Sequence, residues 1–271
     1  MRRRRASQSV GTALRLTPLV AAAGVAYRPN MTEADWLTSD TLSLSMFRRV
    51  EGDLSPRKLQ LIACAACRLV WPMFDGQTLV ETVEAVERHA DGQLSDADYL
   101  ATRDQFLRRY QPFENWQFEE AYVAGYGPEA VVAALVSENV RAGCDRVINW
   151  VPWQAGWFSR GREERRGAYR GRICGLIREI VGNPFRPWKP VPAFLGGGLI
   201  QPDGRTVPVS SAARGLAEGI AADLGFDRLP ILADALEEGG VTDAELLAHC
   251  RRPGGHVRGC WAVDVVLGRS S

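Results

Sequence analysis

Apolar residues recur at steps of three and four from residue 55 to residue 181, the pattern of helices that each bury one face. Ser55-Pro56 opens the clearest of them with a cap and a proline at the first helical position. Its stripe is Leu59, Ile62, Ala63, Ala66, Leu69 and Val70, and Pro72 lies near its end. Gln77 to Ala90 repeats the pattern through Leu79, Val80, Val83 and Val86, with Glu81, Glu84 and Glu87 outside and Asp91-Gly92 as the stop. Ser95 with Asp98 starts a helix toward Tyr110. Pro112 interrupts the chain, and helices are expected over Glu114 to Tyr122 and, after the Gly127-Pro128 turn, over Glu129 to Ala142. The period returns with Tyr169, Ile173, Leu176, Ile177 and Ile180.

Proline and glycine crowd residues 182–210, which read as a linker or a long surface loop. Asp203-Gly204 could turn one short hairpin there, and Pro202 confines it to an edge. Ser210 or Ser211 caps a further helix to about Leu224. Phe226, Leu229, Leu232, Ala233 and Leu236 mark the next, stopped by Gly239-Gly240. Thr242-Asp243-Ala244-Glu245 resembles a capping box for a helix to His249, and a last apolar helix is expected through Val257, Trp261, Val265 and Leu267. The expected fold is mainly α: packed short helices, a Pro/Gly-rich connection and at most one small β-hairpin. The expected units are a helical domain over 31–181, the connection over 182–210, and a C-terminal helical part over 211–271 packed on the first.

Residues 1–30 stand apart. Arg2, Arg3, Arg4, Arg5, Arg15 and Arg28 meet no acid there, so the body from 31 to 271 is left with a net charge of −5. The apolar stretch Leu14 to Ala26 holds Arg15 and Pro18 and is too short to span a bilayer. Two readings of this segment stand: a mis-assigned start or disordered tail ahead of Met31, or a signal-like export segment. The mildly acidic body lacks the basic face that nucleic acid requires, so no nucleic-acid partner is expected. Six cysteines in 271 residues is too sparse for a disulfide scaffold; reduced buried thiols and a cytoplasmic location are expected, with export the alternative if residues 1–30 act as a signal.

Sites with a chemical signature are few. Cys64-Ala65-Ala66-Cys67 is a C-x-x-C, and His249, Cys250, His256 and Cys260 form a second Cys/His group. Cys64, Cys67, His256 and Cys260 are the candidate zinc ligands, because two such pairs could supply a tetrahedron. Against this, the C-x-x-C lies within an apolar helix, where buried thiols are the plainer account. Glu245 and His249 are four apart and would share a helix face, as an acid–base pair or a surface hydrogen bond. His89 has acidic neighbours and reads as solvated. Gly125-Tyr126-Gly127-Pro128-Glu129-Ala130 matches G-x-G-x-x-A, but no βαβ alternation surrounds it, so it reads as a helix stop followed by a new start. No other catalytic motif is evident, and neither a catalytic set nor a cofactor is expected. The segment 150–172 is the candidate interaction surface: Trp150, Trp153 and Trp157 with Arg162 and Arg165 could meet an unidentified protein partner, or pack down on the chain itself.

Several stretches together resemble a large paralogous family of uncharacterised planctomycete-type bacterial proteins. They are Met31-Thr32-Glu33-Ala34-Asp35-Trp36-Leu37, residues Arg57 to Arg68, Gly182-Asn183-Pro184-Phe185-Arg186-Pro187, Leu229 to Glu238, and His256-Val257-Arg258-Gly259-Cys260-Trp261. The resemblance runs from about residue 31 to the end, with a local variation at Gly196 to Pro208. It implies that residues 1–30 lie outside the shared unit, and it implies no activity. The functional expectation is a non-enzymatic protein-interaction or scaffold module; the alternative is a zinc-binding helical domain or metalloenzyme using Cys and His ligands.

Overall fold

The computed structural model describes residues 30–74, 76–110, 127–157, 162–191 and 198–269, with Trp157 and Arg162 described in backbone only. Among them are twelve α-helices and a small antiparallel sheet, so the chain is mainly α. The helices are α1 (Glu33–Thr38), α2 (Ser43–Val50), α3 (Pro56–Leu69), α4 (Gln77–Ala90), α5 (Asp96–Arg109), α6 (Gly127–Leu135), α7 (Val140–Trp157) and α8 (Arg162–Val181), then α9 (Ser211–Asp223), α10 (Leu229–Glu238), α11 (Ala244–Arg251) and α12 (Trp261–Leu267). The expected helix over Glu114 to Tyr122 lies outside the described residues.

The capping chemistry works largely as read. Ser55 accepts from the Lys58 amide ahead of Pro56, Ser95 accepts from the Asp98 amide, and Ser210 accepts from the Ala213 amide. Thr32 and Asp35 form a reciprocal capping box on α1. Three details differ. The helix expected from Glu129 to Ala142 is two helices, because the Asn139 side chain accepts from the Ala142 amide at 3.0 Å and begins α7 anew. The cap of α11 is Asp243, which accepts from the Leu246 amide, and Thr242 stays outside. The last helix begins only at Trp261. Gly259 has φ +84°, and a Cβ there would lie 2.7 Å from Leu61 Cδ1, so the chain turns and touches α3 at Gly259 before α12 starts.

The helices bury two apolar clusters. In the first, α3 is central, buried from Lys58 to Cys67 and packed against α4, α6, α7 and α8. Trp36, Met46, Phe47, Phe106, Ile148, Ile173 and Ile177 fill the space around it. The aromatic segment around Pro152 continues as helix α7, with Val151 and Ala155 in this core. The second cluster packs α9 on α12 and α10 on α11. Residues 182–210 contribute to it through Trp188, Leu199 and Val207. They also form one strand more than the hairpin expected there. β1 (Lys189–Pro190) pairs with β2 (Leu199–Ile200), which pairs with β3 (Thr206–Val207). Pro190 occupies an edge strand, where its missing N–H costs no ladder bond.

Polar side chains join the two clusters. Trp36 Nε1 donates to the Gly182 carbonyl at 3.0 Å, and Lys58 Nζ donates to the carbonyls of Ile180 and Gly259. Arg57 forms a fork on Asp264 and also reaches Asp91, which Arg258 approaches from the other side. No helix among the described residues is long and apolar enough to cross a membrane.

Candidate metal centre

The joint between the clusters brings together Glu179, His249, His256 and Cys260. One ligand atom from each lies within 4.8 Å of the others. Glu179 comes from the last turn of α8, His249 from the last turn of α11, His256 from the connection that follows, and Cys260 is the N-cap of α12. All four side chains are nearly closed to solvent, with His249 the most exposed at 9%.

The hydrogen bonds give each group a direction. His256 Nδ1 lies 3.0 Å from Glu179 Oε1, and its Nε2 lies 3.0 Å from the Arg252 carbonyl. A carbonyl only accepts, so Nε2 carries a proton and Nδ1 points at the carboxylate. His249 Nε2 lies 3.2 Å from Cys260 Sγ and 3.6 Å from Glu179 Oε2. Its Nδ1 accepts from Trp261 Nε1 at 3.1 Å. Arg252 donates to Glu179 Oε2 at 2.6 Å and covers the carboxylate from the solvent side.

Burial by itself raises the Glu179 carboxyl, but hydrogen bonds from His249 and His256 outweigh it and hold the group down at about 2. Glu179 is therefore a buried anion. Burial pushes the Cys260 thiol well above its ordinary range, and the Glu179 charge adds to this. The amides of Val263 and Ala262, at the start of α12, pull the other way by donating to the sulfur. A divalent cation would reverse the balance at sulfur, because a coordinated thiol gives up its proton. Bond lengths near 2.0–2.3 Å from zinc to N, O and S place tetrahedral ligands roughly 3.3–3.8 Å apart. The separations of 3.0, 3.2 and 3.6 Å are close to that range.

Two hollows border residues near the cluster. The larger, of about 300 Å³, is lined by Trp261 with Val50, Leu54 and Trp188, and by Glu245 and Arg186 among its polar residues. The other, of about 250 Å³, is lined by His256 together with Phe226, Arg68, Glu87 and Arg258.

The residues singled out from the sequence divide. His256 and Cys260 belong to the cluster. Cys64 and Cys67 do not: both sulfurs are buried in the first core, Cys64 facing the Val83 carbonyl at 3.8 Å. His249 joins the cluster and does not pair with Glu245, which turns instead to Asn183 and Arg186. His89 bonds Asp96 at 2.9 Å and stacks on Tyr99. Of the interaction surface, Trp150 packs against the first core, Trp153 lies under the Arg166 guanidinium at 3.6 Å, and Arg165 is exposed. The side chains of Trp157 and Arg162 lie outside the described residues. Glu179 was not singled out from the sequence. It lies 70 residues before His249, at the end of a helix with eight other acids and bases, and no short spacing marks it. No protein-family model, curated protein or solved structure matches the chain.

Proposed function

We propose that the chain is a metal-binding helical protein that holds one divalent ion, zinc by its donor set, at the cluster of Glu179, His249, His256 and Cys260. The observation that carries this reading is the convergence of a carboxylate, two imidazoles and a thiol from three helices and a loop, with ligand atoms within 4.8 Å. A mixed N, O and S set suits zinc better than magnesium or calcium, which prefer oxygen alone. The His256 Nε2–H on the Arg252 carbonyl is the outer contact that orients a ligating imidazole. The ion would tie α8 of the first cluster to α11 and α12 of the second, so its binding energy would add to the stability of the folded chain. The six cysteines are all free and buried, which supports a reducing compartment such as the cytoplasm.

The test is thermal unfolding of the full chain after a chelator has stripped it. Zinc should raise the midpoint of the wild type and leave Cys260→Ser unmoved. Equal midpoints with and without zinc in the wild type would defeat the proposal. An interaction module built on 150–172 is the second reading. The exposed Arg165 favours it, while the cover of Arg166 over Trp153 withdraws part of the aromatic face it needs.

A further inference from the structure

The hydrogen bond from Trp261 to His249 restricts how an ion can be held. A neutral imidazole has one lone pair and one N–H. The indole N–H only donates, so the lone pair of His249 is on Nδ1 and the proton is on Nε2. That protonated nitrogen faces the cluster, 3.2 Å from Cys260 Sγ. A nitrogen that bears a proton is not a ligand. To ligate through Nε2, His249 would have to become an anion or give up Trp261. The indole is held in place: it is 7% exposed, and a Cβ at Gly182 would lie 3.0 Å from its Cδ2. His256 differs: its Nε2–H is turned away to Arg252, and the inward Nδ1, which donates to the Glu179 carboxylate in the metal-free chain, offers a lone pair once that proton leaves.

Resting on the metal-binding reading, we infer that the ion takes three protein ligands, Glu179, His256 through Nδ1 and Cys260, and that its fourth position takes a small exogenous monoanion. His249 then donates its N–H to the bound sulfur and acts as a positioning residue. On binding, the Cys260 thiol and His256 Nδ1 release their protons to solvent. Charge favours an anion. Glu179 and the Cys260 thiolate cancel a divalent ion, and Arg252 leaves one positive charge over. A hollow of about 250 Å³ lies beside His256, and Arg258, whose buried Nε has no hydrogen-bond partner while its Nη1 pairs with Asp91, lines its wall. The class of ligand is a small carboxylate or inorganic monoanion. Three protein ligands with an open fourth position are the arrangement of reactive zinc rather than of a closed structural site.

The experiment uses the full chain loaded with cobalt(II), with azide as the probe. Metal per chain is measured for the wild type, His249→Gln, His256→Ala and Cys260→Ser, each checked for helical content. We expect one metal per chain in the wild type and in His249→Gln, whose amide N–H can replace the imidazole donor. Loss of stoichiometric metal is expected in the other two. Azide should change the visible cobalt bands of the wild type saturably. Loss of metal from a folded His249→Gln, or bands indifferent to azide, would overturn the three-ligand assignment. A wild type that takes up no cobalt or zinc would defeat the metal-binding reading beneath it. The azide titration needs no variant, so poor folding of a mutant leaves the test intact.

Discussion

Lys58 and Asp264 meet across the two apolar clusters, with Nζ 2.5 Å from Oδ2 and both side chains almost fully buried. Burial pulls the Lys58 ammonium below its ordinary pKa, and the charge of Asp264 opposes that pull. The same carboxylate takes the fork of Arg57 at 2.7 and 3.1 Å. Asp264→Ala therefore leaves the buried Lys58 ammonium without its anion and Arg57 with Asp91 alone, at a cost of about 3–5 kcal/mol. Urea unfolding followed by circular dichroism should show a large fall in midpoint. An unchanged midpoint would mean that the pair carries no part of the joint between the clusters.

Trp36 is fully buried, and its indole N–H reaches the Gly182 carbonyl, 146 residues away. Trp36→Phe keeps an apolar ring but strands that carbonyl, for a loss of about 1–3 kcal/mol. The loss should appear in equilibrium unfolding, and rescue of stability by Phe would remove the hydrogen bond from the account.

The six thiols differ from free cysteine in how they answer pH. Burial pushes Cys174 up to about 11 and Cys250 up to about 12, and raises Cys64, Cys67, Cys144 and Cys260 as well. An exposed thiol, with a pKa near 8.5, ionises between roughly pH 7 and 9.5 and reacts faster across that window. Here, in the metal-free chain, the thiolate fraction stays low throughout it. Labelling of the folded chain by a disulfide reagent should stay slow and nearly flat with pH, and all six groups should react on unfolding. A fast phase that grows toward pH 9 would show an accessible thiol and contradict the burial.

Arg166 covers Trp153 at 3.6 Å and is only 13% exposed in its side chain. Arg166→Ala should cost about 1 kcal/mol through the lost cation–π contact. It should also make Trp153 more accessible to an aqueous fluorescence quencher. Quenching equal to that of the wild type would show that the ring was open to solvent all along.

Much of the helical layout was legible because local chemistry decides it. Ser55-Pro56, Ser95 and Ser210 cap the helices they announce, and Asp91-Gly92 and Gly239-Gly240 follow their ends. The misplacements fell where a contact distant in sequence, or one side chain, outweighed the period. Gly259 delays α12 because Leu61 leaves no space for a Cβ, and Asn139 divides one apolar run into two helices. Three of the candidate site's four residues were legible: His249, His256 and Cys260 carry a Cys/His signature that spacing reveals. Their completion by Glu179 depends on how α8 meets the connection between α11 and α12, and no local pattern encodes that meeting. Cys64 and Cys67 have the more familiar spacing, yet their helix is buried on nearly every side, which leaves them as core thiols.

The most direct measurement is native mass spectrometry of the full chain, purified without chelator and free of tag histidines. A chain carrying one zinc is expected, lost when His256 or Cys260 is replaced by alanine and kept when Cys64 or Cys67 is. A wild-type chain that appears only at its bare mass, even after zinc is added, would contradict this.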